Sequence, residues 1–182
     1  MPKSARYFLG LGSNLGDRRG NLFRAVVLLE QAGILIRRAS SLYRTQPKGY
    51  SGQPWFYNQV LEVESALTPA ELLDIVKNIE RSMKREPTFR NGPRRIDIDI
   101  LLAGRIVVRS KSLIVPHPRL SRRNFVLRPL REIAPDEVHP TLRKSVTALS
   151  AESKDRSIVL KLARPRPLFT RPRRRTPSLT TV

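Results

Sequence analysis

The sequence predicts an α+β fold with a largely antiparallel sheet. Three observations lead there. Strand-type and helix-type segments are mixed along the chain and do not alternate strictly, as a doubly wound parallel sheet would require. Turn-forming pairs such as Ala103-Gly104 join neighbouring strand segments in the manner of hairpins. The 182 residues contain no internal repeat, and their length suits one domain with a real core.

Tyr7 to Leu11 reads as a first, buried strand, and Gly10 to Asp17 as a tight loop. Leu22, Ala25, Val26 and Leu29 then recur at helical spacing, with Asp17 as N-cap and Gly33 as the stop. The glycine-rich loop lacks the Gly-Lys-Ser/Thr ending of a phosphate-binding P-loop, so a plain tight turn is expected. Ile34 to Thr45 reads as one strand, Gln46 to Pro54 as a Pro/Gly-rich loop, and Gln59 to Glu64 as a third strand preceded by Trp55-Phe56-Tyr57-Asn58. Those aromatics suit a core, and also the wall of a site for a flat ligand.

Thr68-Pro69-Ala70-Glu71 is a capping box with proline at the first helical position. The helix it opens is expected to reach about Arg85, with Leu72, Val76, Ile79 and Met83 as its apolar stripe. At 100° per residue Glu80 falls inside that stripe. An inward carboxylate is costly unless paired or used, so its partner is either Arg85 or a group in a site.

After a basic loop, Ile96-Asp97-Ile98-Asp99-Ile100 alternates with period two. The isoleucines share one strand face and both aspartates the other, about 6.5 Å apart along the strand. Carboxylates so placed repel unless a cation lies between them, and a hard divalent ion such as magnesium suits them. Gly92-Pro93 turns the chain just before, and Arg94 and Arg95 follow. Metal beside guanidinium is the equipment of phosphoryl transfer, although a solvated Arg/Asp strand face would read the same in isolation. Ile106 to Val108 and Leu113 to Val115 read as short strands, the second ending at Pro116-His117-Pro118. Val126, Leu130 and Ile133 indicate a helix whose start is limited by Pro129, and Ile158 to Leu160 a last strand.

The chain holds 35 Lys+Arg against 15 Asp+Glu, a net charge of +20. The last 32 residues contribute nine basic and two acidic residues, so most of the excess lies elsewhere. Such a balance attracts polyanions, from nucleotides to nucleic acids. No apolar run approaches the roughly 18 residues of a membrane span. The N-terminus enters a strand without a signal-type apolar region, and the absence of cysteine suits a reducing compartment, so a cytoplasmic location is expected. Residues 1–150 are read as the functional domain and 151–182 as a C-terminal extension, basic and disordered from about residue 163.

With these segments laid out, the chain resembles the 6-hydroxymethyl-7,8-dihydropterin pyrophosphokinases of folate biosynthesis. The likeness runs from about Tyr7 to Ser150. It is carried by Gly10-Leu11-Gly12-Ser13-Asn14-Leu15-Gly16, Tyr43-Arg44-Thr45, Ile79-Glu80, Gly92-Pro93-Arg94-Arg95-Ile96-Asp97-Ile98-Asp99 and Val115-Pro116-His117-Pro118-Arg119. The resemblance implies a ferredoxin-like three-layer sandwich with helices on the faces of its sheet. It implies transfer of pyrophosphate from ATP to the pterin's hydroxymethyl group, with release of AMP and help from two magnesium ions. Asp97 and Asp99 then hold the metals. Arg85 and Arg94 assist the chemistry. Lys77, Glu80, Arg94, Ile100, His117 and Arg123 meet ATP, and Thr45, Lys48, Phe56, Asn58 and Phe125 meet the pterin. Phe56 stands where many relatives carry tyrosine, Asn91 where some carry tryptophan, and Lys77 where some carry glutamine. A monomer is expected. The competing class is a basic nucleic-acid-binding protein, which the net charge favours but which gives no reason for two aspartates on one strand face.

Overall fold

The computed structural model describes residues 4–49, 52–84 and 92–162. β1 (Ala5–Ser13), α1 (Arg18–Gln31), β2 (Leu35–Ala39), β3 (Tyr43–Thr45), β4 (Phe56–Ser65), α2 (Pro69–Ser82) and β5 (Asp97–Leu102) come first. A two-stranded hairpin of β6 (Val108–Arg109) and β7 (Ile114–Val115), a 3₁₀ turn (Leu120–Arg122), α3 (Asn124–Ile133), α4 (Val146–Glu152) and β8 (Val159–Lys161) follow. The main sheet runs β5-β1-β4-β3-β8, with β2 also on β4, and every pairing is antiparallel. Counting β2 and β3 as one broken strand, β1 to β5 have the ferredoxin-like order, to which β8 adds an edge.

Period-two alternation sorts the core into two halves. Tyr7, Leu9 and Leu11 of β1 and Ile98 and Ile100 of β5 pack with the apolar stripes of α1 and α2. Phe8, Val60 and Leu101 face the other way, onto Val126, Leu127, Leu130 and Ile133 of α3 and Val146 and Leu149 of α4. The result is a sheet between two helical layers. Among the described residues no helix is long and apolar enough to cross a membrane.

Local chemistry explains where the structure departs from expectation. The stretch Ile34 to Thr45 is two strands because Ser40 enters the ladder with its side chain. The Val60 N–H donates to Ser40 Oγ (3.0 Å), while Ser40 N–H donates to the Val60 carbonyl (2.9 Å). A side-chain acceptor thus replaces a backbone one. α2 ends at Ser82, three residues before Arg85, because Lys84 takes a left-handed φ of 55°, a C-terminal stop that more often falls to glycine. Its capping box forms as expected, with Thr68 N–H on Glu71 Oε2 at 2.7 Å. Pro129 lies inside α3, not at its start. The N–H it lacks would have met the Phe125 carbonyl, and burial of one helix face holds α3 together despite that loss. α4 was not foreseen; its seven residues start at a Ser145 cap that accepts from Ala148 N–H. The expected strands around Ile106 and Leu113 shrink to β6 and β7.

Glu132 joins α3 to the broken strand. It accepts from Ser41 N–H (3.2 Å), Ser41 Oγ (2.8 Å) and Tyr43 Oη (2.8 Å). Burial, then the Glu132 hydrogen bond, raises the Tyr43 phenol pKa, so it stays a donor. Replacing Glu132 with alanine would leave three donors unpaired. Urea denaturation of Glu132→Ala is expected to show a loss of about 3 kcal/mol, in line with hydrogen bonds to a charged acceptor.

Candidate active site

The site begins with two missing side chains. Gly10 and Gly12 occupy successive positions on the α3-facing side of β1, so no side chain fills the trough between β4 and β5. Register then fixes what borders it. Gly12 pairs with Asn58 of β4 on one side and Asp97 of β5 on the other, and Gly10 pairs with Val60 and Asp99. With strands about 4.8 Å apart, Asn58 and Asp97 face each other over an empty strand at a backbone distance of roughly 10 Å. A Cβ on Gly12 would lie 2.9 Å from Asn58 Oδ1.

The resulting cleft, about 300 Å³, is lined by eleven of the fourteen residues expected from the sequence. Thr45, Lys48, Phe56, Asn58 and Phe125 form one end, and Lys77, Arg94, Asp97, Asp99, His117 and Arg123 the other. Asn58 Nδ2 donates to Thr45 Oγ1 at 2.6 Å, which holds the amide upright at the floor. The two ends touch through stacked pairs, Arg94 over the Phe56 ring (5.9 Å) and Arg123 over the Phe125 ring (5.3 Å).

Two expected residues lie elsewhere, and a third is outside the described residues. Glu80 is buried beneath the cleft, on the inward face of α2 as its helical angle requires. Its Oε1 accepts from the Ile98 N–H at 2.8 Å, and Oε2 pairs with Lys77 Nζ at 2.8 Å. β5 is the outermost strand, so the Ile98 amide has no strand partner on that side and the carboxylate supplies one. Ile100 packs in the core under α1 and α2, where the same alternation that aims Asp99 at the cleft sends it. Arg85 lies outside the described residues, as does Asn91.

The glycine-rich loop proves to be a brace. β1 continues through it to Ser13. Asn14 N–H donates to the Arg94 carbonyl (3.1 Å), Asn14 Oδ1 accepts from Arg94 N–H (2.7 Å), and Asn14 Nδ2 reaches Gln53 Oε1 (2.8 Å) and the Pro54 carbonyl (3.1 Å). One buried side chain thus fixes both the turn bearing Arg94 and the loop before Phe56. The Asp17 cap on Gly20 N–H closes the start of α1.

Charge is arranged by distance. Arg94 Nη1 lies 2.8 Å from Asp97 Oδ2, whereas the neighbour of Asp99 is His117, with Nε2 4.0 Å from Oδ2. His117 Nδ1 accepts from Arg119 N–H, which leaves the proton on Nε2, facing Asp99. Burial and the charges of Arg123 and Arg119 lower its pKa to about 4, so the ring is neutral at pH 7. Its recessed position, then the Asp97 charge, raises the pKa of Asp99 to about 6. Arg119 also lines the cleft; the signal that points to it is its place two residues after a histidine stiffened by prolines.

A ferredoxin-like sheet bearing paired carboxylates and a cationic rim at one end of a cleft, and aromatic rings around a fixed amide at the other, defines a protein of the nucleotide-dependent phosphoryl-transfer class. The sequence matches the family model described as 7,8-dihydro-6-hydroxymethylpterin-pyrophosphokinase (HPPK) over residues 8–135, and the chain belongs to this family. It is 42% identical over 149 residues to the 2-amino-4-hydroxy-6-hydroxymethyldihydropteridine pyrophosphokinase of Aquifex aeolicus, covering 82% of this chain and 92% of that one. The Bacillus subtilis protein of the same name is 46% identical over 127 residues, or 69% and 76% of the two chains. The folic acid synthesis protein of Pneumocystis carinii is 41% identical over 84% of this chain, which spans only 20% of that protein's length. Among solved structures, wild-type Plasmodium falciparum HPPK-DHPS with pteroate superposes with a TM-score of 0.66 at 18% identity, over 82% of this chain and 42% of that one, a likeness of fold.

Asp99 offers a direct check. A carboxylate whose pKa is raised on folding favours the fold in its protonated form, so its cost is absent below pH 4 and grows as pH rises through about 6. In metal-free buffer, Asp99→Asn is expected to raise Tm at pH 8 and to match the wild type at pH 4. An equal Tm difference at both pH values would contradict the assigned ionisation.

Proposed function

We propose that this protein transfers a pyrophosphoryl group from ATP to 6-hydroxymethyl-7,8-dihydropterin in folate biosynthesis. The hydroxymethyl oxygen bonds to the β-phosphorus and loses its proton to solvent. The bond from that phosphorus to the α-phosphate oxygen breaks, and AMP leaves with the electron pair. The observation that carries this reading is the row Asn58, Gly12 and Asp97 across three adjacent strands. It holds a ring-binding amide and a metal-type carboxylate a substrate's length apart with nothing between them.

At the aromatic end, Phe56 and Phe125 sandwich the pterin, Asn58 bonds its polar edge, and Thr45 and Lys48 supply further contacts. At the charged end, Lys77, Arg94, His117 and Arg123 take the ATP phosphates and ribose, and Arg85, three positions beyond α2 in the sequence, assists the chemistry. His117, neutral with its proton on Nε2, donates a hydrogen bond. Glu80 acts from below by fixing Lys77 and the strand between the two aspartates. Ile100 has only its main chain left to meet adenine.

Asp97 and Asp99 fit magnesium. They offer hard oxygen donors, and among the described residues no group of three His, Cys, Asp or Glu is placed to cage an ion. Magnesium takes one or two carboxylates and completes its shell with phosphate oxygens and water. Two bound ions would offset the phosphate charge and relieve the repulsion between the aspartates. Both ends of the cleft come from one chain, which suits a monomer, and the setting is read as cytoplasmic. The net charge of +20 supports a second role for the basic tail in holding polyanions, which the reaction itself does not need.

The deciding experiment incubates the protein with MgATP and the reduced hydroxymethylpterin and measures AMP. Asp97→Ala is expected to lower turnover by at least roughly a hundredfold, since it removes both a metal ligand and the partner of Arg94. Undiminished AMP release by that variant would sink the reading.

A second pair of variants probes the other end. Phe56→Ala should raise KM for the pterin with little change in kcat, the signature of lost ground-state binding. Gly12→Ala should do so more mildly, because its Cβ displaces only the tip of Asn58. A change confined to the ATP KM would contradict the placement of the pterin.

A further inference from the structure

Residues 153–162 lie beyond the span matched by the family model, yet they bond to residues that line the cleft or adjoin its lining. β8 pairs with β3, setting Val159 opposite Thr45. Arg128 Nη1 of α3 donates to the Val159 carbonyl at 3.0 Å. Between α4 and β8 sits Asp155, whose side chain is 3% exposed.

That carboxylate joins two parts of the site. Its Oδ2 lies 2.7 Å from Lys48 Nζ and accepts the Asn124 N–H at 2.8 Å. Its Oδ1 accepts from Ser157 N–H (3.0 Å) and Ser157 Oγ (2.7 Å). Asn124 Nδ2 returns a bond to the Asp155 carbonyl at 2.6 Å, and Lys48 Nζ also reaches the Arg122 carbonyl at 3.3 Å. Lys48 stands on the loop after β3. Asn124 is the first residue of α3, between Arg123 and Phe125, and all three of Lys48, Arg123 and Phe125 line the cleft. No side chain within α3 caps its first turn, so an amide that a helix leaves unpaired is satisfied from the C-terminal segment.

We infer that Asp155 is a positioning residue: by clamping the Lys48 loop to the N-terminus of α3, it sets the width of the ring-binding end of the cleft. The clamp rests on the pyrophosphokinase reading for its consequence, but not for its geometry. The exposed Lys48 ammonium alone would hold little. The force of the contact comes from an ionised, buried carboxylate that also takes a helix-terminal amide. Burial raises its pKa, but the bonds from Lys48, Ser157 and Asn124 outweigh that and bring it to about 2.

The test compares full-length wild type, Asp155→Asn and Val159→Ala. Val159 is buried in the same segment but makes no clamp contact through its side chain, so its variant reports general loosening. Asp155→Asn is expected to raise KM for the pterin roughly tenfold while leaving KM for ATP within about twofold, the scale of one charged hydrogen-bond set. Val159→Ala should lower Tm without that selectivity. Equal effects of both variants on both substrates would reduce Asp155 to a structural residue and overturn the inference. Amide hydrogen exchange provides a readout independent of turnover. Exchange in residues 46–49 and 123–127 should quicken together in Asp155→Asn, and unchanged exchange in both would overturn the clamp. Absence of AMP release by the wild type would instead strike the pyrophosphokinase reading and leave the exchange result to judge the clamp.

Discussion

The structure depends on holding two like charges side by side on a single strand. Asp97 and Asp99 share a face of β5 because a strand repeats every two residues, and the backbone leaves them no other arrangement. Almost everything around them answers that constraint. Arg94 takes one carboxylate, while the other is left in a recess with a neutral histidine and ionises reluctantly. Beneath them Glu80 secures the amide between the pair, so the strand cannot twist to separate them. The fold thus keeps open an electrostatic debt that a polyphosphate with its counter-ions would settle.

The opposite requirement, space, is met on β1. Cores are normally filled to crystal-like density, yet two consecutive cleft-facing positions here are glycine. The empty stripe they make is straddled by the functional groups of β4 and β5. Cation and ring are not segregated within it, since each phenylalanine carries an arginine on its face. A flat ligand entering the ring-lined end would therefore take the place of a guanidinium on a phenylalanine face, which favours electron-poor rings with polar edges.

What could be read from the sequence was what depends on local periodicity. The shared face of Asp97 and Asp99, the inward angle of Glu80, the capping box of α2 and the Asp17 cap all follow from residues a few positions apart, and the structure shows them as expected. What could not be read depends on distant partners. The sequence offered Glu80 a choice between Arg85, which lies outside the described residues, and a site group, a part that Lys77 takes. Its further bond, from the Ile98 N–H, exists only because β5 is an outer strand. Ser40 breaks a strand by bonding across to Val60, and Asn14 turns a loop with a phosphate-binding look into a brace for Arg94. α3 carries a proline that its own pattern would place at the boundary, because packing outweighs one lost hydrogen bond. Eleven cleft residues were found by motif and family likeness, but Asp155 belongs to no motif, and only the folded chain brings it to Lys48.

β8 has a meaning beyond the cleft. It covers the outer side of β3, a strand of three residues whose other neighbour is β4. Unpaired strand edges recruit other chains, and natural sheets blunt them by keeping them short or by covering them. A protein cut back to the span shared with its family would present that raw edge to solvent. The C-terminal segment therefore moves the sheet's edge outward by one strand, away from the strand that carries Thr45, and recombinant boundaries drawn from family likeness alone would undo that.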